Sequence, residues 1–97
     1  MSTLEQLVAE AIRLGADALD VEYKDRHEEV AAMRGQFGVG IARFPSSSPE
    51  AEDLRHELYG IAKKRRRVRV GEVEYELRVR VRDSFGEDAF SVQLRRL

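Results

Sequence analysis

Leu4, Leu7, Val8, Ala11 and Ile12 recur at intervals of three and four with Glu5, Glu10 and Arg13 between them, which predicts a helix with one apolar stripe. Thr3 followed by Gln6 reads as a capping box at its start, and Gly15 stands where a left-handed residue usually ends a helix. From Ala18 the period becomes two. Leu19, Val21 and Tyr23 alternate with Asp20, Glu22 and Lys24, so a strand with one buried face is expected. A four-residue turn from Asp25 to Glu28 would set Tyr23 opposite Val30 and Lys24 opposite Glu29, whereas a two-residue turn would oppose Glu22 to Glu29. The longer turn is preferred. After Gly35 a third strand follows, with Phe37, Val39 and Ile41 expected in the core and Gly38, Gly40 and Ala42 on the outer face beside Ala31 and Met33.

The stretch P-S-S-S-P-E is a loop short enough to stay within one domain, and it ends in a complete helix-start signature. Ser48 is the N-cap, Pro49 the first helical residue, and Glu50, Glu52 and Asp53 lie in the first turn, where carboxylates favour the positive end of the helix dipole. Ala51, Leu54, Leu58 and Ile61 form the buried stripe, and Lys63, Lys64 and Arg65 sit at the opposite end. Three more strands follow. Gly71-Glu72 reads as a type II′ hairpin that pairs Val70 with Val73, Arg69 with Glu74, Val68 with Tyr75 and Arg67 with Glu76. A loop from Ser84 to Glu87 then sets Val81 opposite Phe90, Val79 opposite Val92 and Leu77 opposite Leu94, with Glu76 also beside Arg95.

The order is helix-β-β-β-helix-β-β-β, which predicts an α+β fold: an antiparallel sheet of about six strands with two helices packed on one face. At 97 residues the chain has room for one core, so residues 1–97 are read as a single domain. Composition sharpens this picture only in part. The chain is 42% hydrophobic and 36% charged, a high charge content for a soluble domain. Its net charge of -1 divides into -3 through Pro49 and +2 beyond it, too weak a basic excess for general affinity to polyanions. No apolar run approaches a membrane span and no basic leader opens the chain, so a cytoplasmic protein without membrane contact is expected.

Candidate chemistry is sparse. With no cysteine there is no thiolate metal site, disulfide or cysteine nucleophile. Gly35, Gly38 and Gly40 lack the spacing and following lysine of a phosphate loop, Glu52 and His56 lack further metal ligands, and Asp83, Glu87 and Asp88 lack calcium-loop spacing. No catalytic, cofactor-binding or metal site is therefore assigned. Two surface features remain. Ala31, Met33, Gly38, Gly40 and Ala42 form a small, weakly polar patch suited to a protein partner or a second copy of the chain. Arg78, Arg80 and Arg82, opposite Gln93, Ser91 and Ala89, form a row about 13 Å long that could track phosphates. The reading is a non-enzymatic protein-interaction module that forms a homodimer, with nucleic-acid binding through the arginine row as the alternative.

Overall fold

A computed structural model describes residues 1–97. The elements are α1 (Thr3–Arg13), β1 (Ala18–Lys24), β2 (His27–Arg34), β3 (Phe37–Pro45), α2 (Pro49–Lys63), β4 (Arg66–Val70), β5 (Val73–Ser84) and β6 (Glu87–Arg96). All six strands form one antiparallel sheet in the order β3-β2-β1-β6-β5-β4. The two three-stranded meanders thus join through β1 and β6, which leaves β3 and β4 as the sheet edges. Both helices pack on one face, as the sequence predicts, and the other face carries no covering element. Between helices and sheet lies a cluster of 17 buried residues that includes Leu4, Val8, Leu19, Leu54, Leu58, Leu77 and Phe90. Burial of each such large side chain contributes about 1.5–3 kcal/mol.

The α1 start lies one residue earlier than the spacing suggests. Ser2 is the N-cap: its hydroxyl accepts from Glu5 N, while Glu5 Oε1 accepts from Ser2 N, both at 3.2 Å. These bonds hold the Glu5 carboxyl below its ordinary pKa. Ser2 takes the role because Glu5 then closes the reciprocal box with a carboxylate, and the carboxylate also meets the helix dipole. For α2 the expected cap holds, with Ser48 Oγ accepting from Ala51 N at 3.1 Å and Ala51, Leu54, Leu58 and Ile61 buried.

The C-terminal meander has the expected registers throughout, including Arg67 opposite Glu76, Arg69 opposite Glu74 and Val79 opposite Val92. Its last turn is tighter than expected. Ser84 pairs with Glu87, so Phe85 and Gly86 alone make the turn, both with positive φ (52° and 84°). Two such residues define a type I′ turn, whose twist matches that of the strands.

The N-terminal meander departs further. Lys24 pairs with His27 across a two-residue turn of Asp25 and Arg26, again with positive φ at both, so Val21 faces Val30 and Glu22 faces Glu29. The like charges that argued against this register find other partners: Ser84 Oγ donates to Glu22 Oε1 at 2.7 Å, and Arg43 Nε pairs with Glu29 Oε2 at 3.2 Å. The same register turns Glu28 onto the core face. On β3 a bulge lies between the Ala31–Gly40 and Val30–Ala42 pairs, so Ile41 is the extra residue. Beyond it Ala42 and Phe44 join Ile41 in packing against the core, so Ala42 leaves the outer patch to which the alternation assigned it.

Phe37 and Val39 are not core residues. Phe37 is 85% exposed and Val39 55%, and only Ile41 of the expected trio is half-buried. Val39, paired with Ala32 opposite Leu19, is left open on the edge strand, and for Phe37 the cause is position along it. β1 begins at Ala18 opposite Met33, so the Arg34–Phe37 tip of the β2–β3 hairpin projects past the end of β1, while α1 has already ended at Arg13.

Candidate functional site

The outer-face patch is assembled only in part. Ala31, Met33, Gly38 and Gly40 share the outer face, with Ala31 paired to Gly40 and Met33 to Gly38. The Met33 thioether lies over Gly38, where a Cβ would come within 2.4 Å of its sulfur, whereas a Cβ on Gly40 would meet nothing. Gly38 is thus a seat for Met33 and Gly40 is open. The ground beside them is charged as well as small. Asp20, Glu22, Glu29 and Arg43 line, with Ala31 and Gly40, a shallow depression of about 630 Å³.

The backbone of this strand is as informative as its side chains. Met33 O accepts from Asp17 N at 2.9 Å, so the polar groups of Met33 turn toward β1, and the Met33–Gly38 pair is one of the non-hydrogen-bonded pairs of the β2–β3 ladder. Gly38 and, by alternation, Gly40 therefore direct their N–H and C=O groups out of the sheet edge. On the helix side of the same edge, Leu14, Ala16, Ala32, Phe37 and Val39 line a small groove of about 220 Å³. Phe37 to Ala42 carries no charged residue. The opposite edge differs on every count: β4 is five residues long and reads R-R-V-R-V. Short, arginine-bearing edges resist pairing with another strand, and long uncharged ones invite it.

Arg78, Arg80 and Arg82 lie on the outer face opposite Gln93, Ser91 and Ala89, as predicted, and none is in an ion pair. Arg67 and Arg69 face Glu76 and Glu74 in register, but Glu76 instead pairs with Arg65 at 3.5 Å and Arg95 at 4.0 Å. Two strands from the arginine row, Asp20 sits opposite the other side of Ser91. Asp20 and Arg82 line one depression, of about 640 Å³.

Sequence reasoning missed a polar cluster on the helix side. Glu28 is 3% exposed; its Oε1 accepts from Arg55 Nη1 at 3.1 Å, while Oε2 is buried without a partner. Burial raises the Glu28 pKa, and the arginine opposes that shift without cancelling it. Arg55 also donates to Ser46 O at 2.9 Å, so one side chain ties together β2, the loop after β3 and α2. One turn further along α2, Tyr59 donates to Asp88 and packs edge-on against Phe90, with ring centroids 5.1 Å apart. The bond to Asp88 raises the tyrosine pKa. A carboxylate in an otherwise apolar phase, Glu28 with Val30 and Ala32, was the available signal. It was hidden because the longer turn counted Glu28 as a loop residue. Neither histidine joins a metal-binding constellation: no group of three or more potential ligands occurs. Nor is any helix long and apolar enough to cross a membrane.

The sequence matches no protein-family model and no curated protein, so any functional reading rests on this geometry.

Proposed function

We propose that the chain is a non-enzymatic protein-interaction module that receives an extended segment of a partner as an added strand along β3. The observation that carries this reading is the Phe37–Ile41 edge, where two glycines turn their hydrogen-bonding groups outward beside Phe37, Val39 and the Leu14 groove. A strand laid there gains main-chain bonds to Gly38 and Gly40, and its alternate side chains fall toward the groove. The preferred partner segment is uncharged and β-branched. Exposed aliphatic and aromatic side chains at a single free edge are otherwise an aggregation hazard, which a bound strand removes.

The test is selection of heptapeptides from a displayed library on the intact chain, followed by hydrogen exchange. Bound peptides should show apolar residues at alternate positions and should protect the Gly38 and Gly40 amides. Gly40→Pro removes an outward N–H and leaves the ladder to β2 intact, and a Cβ at this position meets nothing, so it should weaken binding by about tenfold or more. Peptides that bind Gly40→Pro as well as the wild type would refute strand addition. The unpaired arginine row supports nucleic-acid binding less well, since Asp20 and Glu22 would lie beneath the same phosphate track.

A further inference from the structure

The uncovered sheet face is divided by charge along β6. On one side lie Arg78, Arg80 and Arg82 on β5, and Lys64 and Arg65 line a depression with Arg78 and Arg80. On the other lie Asp20 and Glu22 on β1, with Glu29 beyond them on β2. Between them β6 presents Ser91 and Gln93, with Ala89 fully buried beside them and Arg95 further along the same face next to Glu76. The registers make the division symmetrical. Ser91 pairs with Asp20 on one side and Arg80 on the other, and Gln93 pairs with Ala18 and Arg78. Asp20 and Arg80 therefore flank Ser91 at one strand spacing each, about 9.6 Å apart in total. Arg78, Arg80, Arg82, Asp20 and Glu22 have no ion-pair partner within the chain.

We infer that this face is the interface of a homodimer whose two-fold axis runs along β6. Rotation about an axis parallel to that strand, lying above Ser91, carries the β5 side of one copy over the β1 side of the other. Arg80 then meets Asp20 of the second copy, Arg82 meets Glu22, and Ser91 and Gln93 meet their own equivalents. Each charge contact occurs twice, as an isologous interface requires, and the Ser91 and Gln93 self-contacts fall on the axis. Face-to-face sheets stack about 10 Å apart with strands nearly aligned, a gap that an arginine and an aspartate close from opposite sides. The molecule measures 36 × 27 × 22 Å, and a helix layer on a sheet is thinnest across its layers. The face is thus broad enough for the roughly 800 Å² per partner of a standard interface. Because the attraction is carried by charges at a wet face, association weakens as salt rises. This dimer is independent of strand capture at β3 and leaves both β3 edges open.

The test is sedimentation equilibrium of the full chain, with circular dichroism to confirm that each variant is folded. Wild type should dimerise at low ionic strength and dissociate progressively with added salt. Arg80→Glu and Asp20→Arg each set like charges against each other twice per dimer and should weaken self-association by about tenfold or more. Mixed in equal amounts, the two variants should recover a dimer, since the acidic pair of rows on one meets the basic pair on the other. Gly40→Pro should dimerise as the wild type does; loss of the dimer in that variant alone would place self-association at the β3 edge and refute the inference. Wild type that remains monomeric at all concentrations, or a dimer indifferent to Arg80→Glu, would also overturn it. So would a monomer retained on a polyanion column through Arg80, which would assign the row to nucleic acid.

Discussion

Helix α2 is fastened to the two sides of the sheet by ion pairs of opposite polarity. On the β4 side the strand supplies the cation: Arg66 Nη1 lies 2.8 Å from Glu57 Oε2, and both side chains keep some contact with water. On the β2 side the strand supplies the carboxylate, and Glu28 is buried. The distances are similar and the energetics are not. A hydrated pair contributes little net stability, whereas a buried carboxylate is tolerable only while its partner stays in place. The N-terminal meander therefore depends on α2 for charge compensation in a way the C-terminal meander does not.

The sharpest break of this comparison is removal of the two arginines in turn. Arg55→Leu strands the Glu28 carboxylate and frees Ser46 O, and should cost about 3–5 kcal/mol in urea unfolding at pH 7. Arg66→Leu should cost about 1 kcal/mol or less. Equal losses would mean that Glu28 is protonated or reaches water.

The bulge on β3 offers a second contrast within the N-terminal meander. Phe44→Ala should lose about 2 kcal/mol, roughly half the cost of deleting a fully buried phenylalanine, because Phe44 packs half-buried against the core. Phe37→Ala, at the projecting tip, should change stability by less than about 0.5 kcal/mol while weakening strand capture. Reversal of that order would place Phe37 in the core and return β3 to simple alternation.

The pH dependence tests the buried carboxylate. Since Glu28 has a raised pKa in the folded chain, its folded form holds the proton longer than its unfolded form. Its contribution is therefore fully favourable below the unfolded value, near 4.5, and is lost as pH rises through the folded value. Wild type should lose stability over that window, and Glu28→Gln should flatten the decline. A wild-type curve that rises through the window would contradict the raised pKa.

The same contrast explains what could be read from the sequence. In the C-terminal meander, apolar faces apolar and arginine faces glutamate in every row from Arg67 to Glu76, so pattern alone fixes the register. In the N-terminal meander the local pairing rule was outvoted by distant partners. Glu22 and Glu29 can face each other because Ser84, 62 residues from Glu22, and Arg43 answer them. Glu28 can enter the core because α2 brings Arg55. Neither arrangement can be seen before the strands are placed side by side. The arginine row was legible as a row; that its neighbours across β6 are Asp20 and Glu22 depended on the junction of β1 with β6, which no alternation in either strand announces.

The turns give the smallest effects and compare the two meanders directly. Both type I′ turns hold residues other than glycine or asparagine in the left-handed region: Asp25 at φ 51° and Arg26 at φ 63° in one, Phe85 at φ 52° in the other. Such a backbone costs an ordinary side chain about 1–2 kcal/mol, and asparagine tolerates it far better. Phe85 is also fully exposed, so its ring returns nothing to the folded chain. Phe85→Asn creates the Asn-Gly pair most favoured at such turns and should raise stability by about 1 kcal/mol. Arg26→Gly should gain less, because glycine also adds conformational freedom to the unfolded chain. If Phe85→Asn instead destabilises, the ring must be covered in solution, and the hairpin tip of the C-terminal meander would join the interface proposed for the sheet face.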